Sequence, residues 1–243
     1  MRLDIYIKSL LHSRTKAQEA IESGCVKVND KVIYKSSTPL AADDRVQLDS
    51  IKLQSLLVGR AGYKLRGFIE ALVNDKIWQP THLQHKSALD VGSSTGGFAE
   101  VLLHYGVKDI TCVDVGKNQL HEKIRKDTRV RVFEECDIRD FMEDRIYDIL
   151  VCDVSFISLY KLIEHFKRFV CQEFIWLFKP QFEVGRTAKR DKKGVIKNSH
   201  LVQETLQAFC QYAAKEGFNI ISVKPSVLKG KDGNEEFFIY SQR

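Results

Sequence analysis

The stretch Ala88-Leu-Asp-Val-Gly-Ser-Ser-Thr-Gly-Gly-Phe98 decides the fold. A short apolar run ends at Asp90, a glycine-rich loop follows, and an amphipathic segment begins at Phe98, which reads as strand, tight turn and helix N-terminus. Gly92, Gly96 and Gly97 let the backbone bend sharply and lie close against a ligand, while the free N–H groups of a new helix attract negative charge. No Gly-Lys-Ser/Thr ending follows, which excludes a Walker phosphate loop, and the spacing misses strict Gly-x-Gly-x-x-Gly. Glycines also serve plain structural turns, so the neighbouring segments must decide.

Outward from Ser87, strand and helix patterns alternate. Strands are predicted near 87–91, 110–114, 130–135, 147–152, 173–178, 219–224 and 235–241, with helices near 98–105, 117–126, 157–169 and 199–216. This alternation implies a doubly wound, mostly parallel α/β sheet. The loop from Pro225 to Asn234 is too short for a helical crossover, so the last strand is expected to run antiparallel. That is the arrangement of a class I, Rossmann-like methyltransferase sheet. Asp114 ends the second strand about twenty residues beyond the glycines, where a carboxylate can accept ribose hydroxyls. Asp137 follows the third strand, where it can accept from an adenine amino group. Strand-end acids also cap helices. Taken with Asp90, Gly92, Ser93, Ser94, Thr95, Gly96, Gly97 and Phe98, they point to an S-adenosylmethionine (SAM) site.

The fourth strand runs into Asp153-Val-Ser-Phe-Ile-Ser158 and the fifth into Lys179-Pro-Gln-Phe-Glu183. In a parallel sheet both ends open on one crevice beside the cofactor, so Asp153 and Lys179 are expected as neighbours. Lys179 closes the aromatic run Phe174–Phe178, a setting in which a lysine can serve as base or orienting group for a hydroxyl. A structural ion pair is the plainer alternative. His82 and His85 have His-x-x-His spacing without a third ligand of suitable spacing, so no metal is expected.

The first fifty residues have their own punctuation. A short helix begins at Arg2, Ser13 is placed to cap a second helix that Gly24 ends, and Val26 and Val28 alternate into a turn at Asn29-Asp30. Lys8, Arg14, Lys16, Lys27, Lys31 and Lys35 give this segment a cationic face suited to a phosphate backbone or, more plainly, to water. The chain of 243 residues carries a net charge of +6, which favours an acidic partner only weakly. Six scattered cysteines without a Cys-x-x-Cys pair read as reduced small hydrophobes. No apolar run is long enough to span a bilayer and no signal-peptide pattern opens the chain, so a cytoplasmic protein away from membranes is expected.

The series Arg2-Leu3-Asp4, Ser13-Arg14-x-x-Ala17, Gly24-x-Val26-x-Val28-Asn29 and Asp43-Asp44-x-Val46 resembles the small RNA-binding domain named after ribosomal protein S-four. Lys64, Asp153, Lys179 and Glu236, the last in Gly233-Asn-Glu-Glu-Phe237, resemble the Lys-Asp-Lys-Glu tetrad of FtsJ-like ribose methyltransferases. Glu236 is preferred over Glu235 because the family pattern is Gly-Asn-x-Glu and alternate residues face opposite sides of a strand. As a whole the chain resembles the TlyA, or haemolysin A, family of rRNA 2'-O-methyltransferases. The resemblance implies an RNA-binding domain at 1–58, a linker at 59–63 and a methyltransferase domain at 64–243. It implies a catalytic tetrad and direct, metal-free transfer of the SAM methyl to a ribose. The substrate it implies is a cytidine of large-subunit rRNA, because the chain has no room for the extensions of longer forms. RNA contacts are expected from Arg2, Lys8, Arg14, Lys16, Lys27, Lys31 and Arg60, and from a flexible basic lid carrying Arg186, Lys189, Arg190, Lys192 and Lys193. A monomer working on a ribosomal subunit is expected. The rival readings are a non-catalytic RNA-binding factor and a cytolysin, the latter lacking any visible membrane element.

Overall fold

A computed structural model describes residues 1–50, 52, 56–185 and 188–243, with Thr15 described by its backbone only. The chain divides into two units, Met1–Leu57 and Val58–Arg243.

In the first unit, helices α1 (Leu3–Leu11) and α2 (Arg14–Glu22) pack on a three-stranded antiparallel sheet of order β2-β1-β3, with β1 at Val26–Val28, β2 at Lys31–Val32 and β3 at Val46–Leu48. Ser13 caps α2 as expected, its side chain accepting from the Lys16 N–H. Leu3, Ile7, Ala17, Ala20, Ile21, Val26 and Val28 form the core, so the period-four faces of both helices meet the period-two face of β1.

The second unit opens with α3 (Arg60–Asn74), whose buried face carries Leu65, Phe68, Ile69 and Leu72. Residues 60–63, expected as linker, are instead its first turn. Gly62 is buried there, and a Cβ on the facing Gly97 would lie 2.8 Å from the Gly62 nitrogen. The glycines that suggest a linker therefore let two helices approach closely.

Seven strands follow: β4 (Ser87–Val91), β5 (Asp109–Val113), β6 (Val130–Phe133), β7 (Ile146–Cys152), β8 (Val170–Phe178), β9 (Asn219–Pro225) and β10 (Phe237–Gln242). Their order is β6-β5-β4-β7-β8-β10-β9, parallel from β6 to β8, with β10 antiparallel to both neighbours, as the sequence predicts. Between them lie α4 (Gly97–His104), α5 (Glu122–Arg125), α6 (Tyr160–Phe166), α7 (Pro180–Glu183) and α8 (Ser199–Lys215).

Alternation along β10 separates the two faces of the sheet. Phe238 stacks on Phe68 of α3, with ring centroids 4.8 Å apart, and lies 6.0 Å from Phe98 of α4. Phe237 and Ile239 face the other way, into a core that also holds Phe166 of α6, Trp176 of β8 and Phe209 of α8.

Two expected helices are shorter than their patterns. The one predicted over 117–126 shrinks to α5, because the Glu134 carboxylate captures the N–H groups of Asn118, Gln119 and Leu120 and Asn118 takes a positive φ of 52°. The one predicted over 157–169 becomes α6, since Phe156 has φ 67° and Ser158 is tied to Glu183.

Candidate active site

Parallel strands aim their carboxyl ends at one edge of the sheet, and the sequence ends each relevant strand in a polar residue there. Asp90 lies near the end of β4, Asp114 follows β5, Asp153 follows β7 and Lys179 follows β8. The antiparallel β10 starts where its neighbours finish. Phe237 pairs with Phe178, so the next step of that register sets Glu236 across from Lys179.

Two ion pairs result. Lys179 Nζ lies 2.6 Å from Asp153 Oδ1 and donates to Ser155 Oγ at 2.9 Å. Lys64 Nζ donates to Glu236 Oε2 at 2.6 Å. Lys64 sits one turn before Phe68 on the buried face of α3, which carries its ammonium group to the start of β10. Glu236 is buried whereas Glu235 is exposed, as strand alternation predicts. Behind Glu236 stands Gly230, where a Cβ would come 2.5 Å from the carboxylate.

The glycine loop shapes the floor of the site. Gly92 has φ +79°, and a Cβ there would meet the Asp153 carbonyl oxygen at 2.6 Å. Gly96 caps α4 in the left-handed region, where a Cβ would collide with Leu120. Asp114 Oδ2 accepts from the Ser94 N–H at 2.8 Å and its Oδ1 from the Gly116 N–H at 2.7 Å, which leaves further lone pairs for hydroxyl donors. Asp137 is differently engaged: Arg139 grips it at 2.9 and 2.6 Å and holds its carboxyl below the ordinary range. Asp90 is fully buried, with the Ala99 backbone N–H a weak donor to its carboxylate. Burial first, then the nearby Asp153 and Asp114 charges, push its carboxyl well above the ordinary value.

Two clefts meet along this edge. The larger, of about 610 Å³, is lined by Asp114, Asp137 and Asp153 together with Ile138, Ile157 and Leu162, an apolar wall for a purine facing acceptors for hydroxyls. The second, of about 240 Å³, is lined by Arg60, Thr95, Gly97, Phe98 and Lys179. Gly92, Ser94, Asp153 and Ser155 border both. The glycine loop expected to hold one cofactor is thus divided, with Thr95, Gly97 and Phe98 facing the second cleft and Gly92 and Ser94 facing both. Ser93 is mostly buried at the edge of the second cleft, its N–H turned to the Val113 carbonyl. The residues present fit SAM, because the larger cleft combines an apolar wall with the Asp114 carboxylate, whose remaining lone pairs can accept from ribose hydroxyls.

Sequence reasoning passes over several contributors. Ser155 and Phe156 lie inside a quoted motif yet receive no role there. Phe156 is 92% exposed on the rim of the larger cleft, held at positive φ, with Phe182 5.4 Å away. Glu183 fixes this loop by accepting from the Ser158 hydroxyl at 2.5 Å and the Leu159 N–H at 2.9 Å.

The cations expected to meet RNA divide by what already holds them. Lys8, Arg14, Lys16, Lys27 and Lys31 are exposed on the first unit. Arg2 forms a two-pronged pair with the buried Asp4 at 3.0 and 2.9 Å. Arg60 is exposed at the start of α3. In the basic segment, Lys189, Lys192 and Lys193 are exposed, Arg190 donates to the carbonyls of Gln181, Gly185 and Ala188, and Arg186 lies outside the described residues. The expected flexible lid is, from Arg190 to Ile196, a bonded turn. Asp191 accepts from the Lys193 and Val195 N–H groups, and Asn234 Oδ1 accepts from the Ile196 N–H at 3.0 Å. His82 stacks on Trp78 and contacts Glu173 at 2.7 Å. Among the described residues no group of three His, Cys, Asp or Glu side chains could hold a metal, and no helix is long and apolar enough to cross a membrane.

Comparison with known proteins agrees with this geometry. The FtsJ-like methyltransferase family matches residues 57–243 and the S4 domain matches residues 1–46. The chain is 38% identical to the 23S rRNA (cytidine-2'-O)-methyltransferase TlyA of Campylobacter jejuni over 99% of this chain and 98% of that one. It is 32% identical to the 16S/23S rRNA (cytidine-2'-O)-methyltransferase TlyA of Mycobacterium tuberculosis over 96% of this chain and 85% of that one. A solved structure named as a hemolysin of Streptococcus thermophilus superposes with a TM-score of 0.72 at 28% identity, covering 100% of this chain and 88% of that one. A class I sheet with a cleft lined by apolar and acidic residues, an N-terminal S4 domain and near full-length TlyA relatives place this chain in the TlyA family of FtsJ-like methyltransferases.

Proposed function

We propose that this protein transfers the methyl group of SAM to the 2'-hydroxyl of a cytidine in ribosomal RNA. The observation that carries the reading is the Lys179–Asp153 pair, set where two clefts share a border. SAM, bound in the larger cleft, supplies a methyl group already activated by its sulfonium charge. Asp114 would accept from its ribose hydroxyls, Ile138 and Leu162 would flank its purine, and Asp137 would reach the adenine amino group only while shared with Arg139. The acceptor ribose would enter the second cleft, with Phe156 offering an exposed ring to its unstacked base. Lys179 orients or deprotonates the hydroxyl, held by Asp153 and Ser155. The O–C bond forms in line as the S–C bond breaks, and Lys179 takes the hydroxyl proton as it passes one of its own to the Asp153 carboxylate. Lys64 and Glu236 keep the neighbouring strand end charge-balanced.

The S4 domain would grip structured RNA through Lys8, Arg14, Lys16, Lys27 and Lys31, with Lys189, Lys192, Lys193 and Arg60 as phosphate contacts on the methyltransferase unit. The division into domains would follow the boundary near residue 57, and the protein would work as a cytoplasmic monomer on ribosomal subunits. The C. jejuni relative is named for 23S rRNA and the M. tuberculosis relative for both rRNAs, so a large-subunit cytidine is the first target to test. The test is transfer of labelled methyl from SAM to each purified ribosomal subunit lacking the modification, followed by alkaline hydrolysis. A 2'-O-methyl blocks cleavage, so label in an alkali-resistant dinucleotide of 23S rRNA is expected. Label on a base overturns the ribose assignment, and no label from folded protein overturns the activity.

A further inference from the structure

Two segments without regular structure, 115–121 and 136–141, supply Val115, Gln119, Cys136, Asp137, Ile138 and Arg139 to the lining of the larger cleft. Loops that shape a ligand site need an outside hold, because the loop itself has too few internal bonds to keep one geometry. Each segment has such a hold, and the two are chemical opposites. Glu134, just past β6, accepts from the successive N–H groups of Asn118, Gln119 and Leu120 at 2.9, 2.8 and 3.0 Å. Its Oε2 also pairs with Arg125 Nη2 at 2.7 Å. Arg168, in the turn after α6, donates to the carbonyls of Ile138, Arg139 and Phe141, the latter two at 2.6 and 2.8 Å. Its guanidinium also lies over the Phe169 ring, 5.1 Å from the centroid, and that ring sits 6.2 Å from Phe141.

Neither Glu134 nor Arg168 lines the cleft. Each gathers three backbone groups of one sign, the N–H row for the carboxylate and the carbonyl row for the guanidinium, so each acts only through the loop it holds. Loop 115–121 also abuts the glycine turn, because Leu120 fills the space beside Gly96 and Gln119 accepts from the Ser94 hydroxyl at 3.3 Å.

We propose that Glu134 and Arg168 are positioning residues that set the affinity for the nucleoside end of SAM by fixing the two loops that wall it. The proposal rests on reading the larger cleft as the SAM site. Arg168 and Glu134 would leave the acceptor side untouched, since Lys179 and Asp153 are fixed by other elements.

The test uses the full chain with Glu134→Gln, which keeps the shape and one acceptor oxygen, and Arg168→Lys, which keeps the charge without the planar fork. Calorimetry is expected to show SAM dissociation constants raised about tenfold or more. With RNA as substrate the KM for SAM should rise in step, while kcat at saturating SAM stays within about twofold and the KM for RNA is unchanged. Either variant that melts like the wild type yet binds SAM with wild-type affinity overturns the proposal. A fall in kcat that excess SAM does not restore overturns it as well, since it means a general structural role. Failure of the wild type itself to bind SAM overturns the underlying reading instead.

Discussion

The pairs Lys179–Asp153 and Lys64–Glu236 have the same chemistry and the same 2.6 Å separation, but their surroundings differ. The first borders open space: Lys179 and Asp153 both line the smaller cleft, and Asp153 the larger one too. The second lines neither cleft. Its side chains are 10% and 3% exposed against 10% and 13% for the first pair, so the lysines are equally covered and the difference lies in the carboxylates, with Gly230 closing behind that of Glu236. On the proposed reaction, the motif of four residues divides into one pair placed to touch the reacting hydroxyl and one pair placed to brace the strand end beside it. The residue types are identical and the two lysines equally covered, so the expected difference in role rests on the clefts, which the Lys179–Asp153 pair borders and the Lys64–Glu236 pair does not.

The largest effect should come from the open pair. Lys179→Met keeps the length of the side chain and removes the donor, so kcat should fall by about 10²–10⁴, the usual range for a positioned acid or base. SAM affinity should stay within a few-fold, because Lys179 is absent from the larger cleft. Single-turnover methyl transfer with a parallel SAM titration reads both. Equal loss in both measurements would mean that the two clefts are one site.

For the closed pair, Glu236→Gln should lower kcat only about tenfold and lower stability more. Removing one partner of a buried pair outright costs about 3–5 kcal/mol, and the isosteric amide should retain part of it. Thermal unfolding of the variant, set against Lys179→Met, checks the order. If Glu236→Gln melts normally but has the larger defect in kcat, Glu236 touches the substrate and the contrast between the pairs fails.

Much of this site is legible in the chain. The strand ends at Asp90, Asp114, Asp153 and Lys179 follow from alternating patterns, and the antiparallel last strand follows from the shortness of 225–234. What escapes is anything decided by a distant partner. A helical pattern over 117–126 cannot reveal that Glu134 takes three of its N–H groups, and the cationic count of 186–197 cannot reveal that Arg190 serves the carbonyls of Gln181, Gly185 and Ala188. Arg2 looks like an RNA contact until Asp4 is seen to be buried against it. Composition tells which charges exist; burial tells which are already engaged.

Asp90 extends the contrast to a third carboxylate at the same edge, this one without a lysine. Burial, followed by the fields of Asp153 and Asp114, raises its pKa well above 3.8 against the weaker pull of the Ala99 N–H. In the unfolded chain the same carboxyl ionises near 3.8. A group whose folded pKa is raised contributes stability that is complete below the unfolded value and is lost as pH rises toward the folded one. Asp90→Asn places a neutral side chain of the same size there and removes this dependence. The variant should therefore gain stability relative to wild type as pH rises from about 5 to about 8, a smaller effect than either lysine pair gives, read by urea unfolding of both proteins at each pH. A constant difference across that range would mean that Asp90 is already ionised at the low end, its charge held by the Ala99 N–H, and the carboxyl would then stand outside the contrast between paired and unpaired acids.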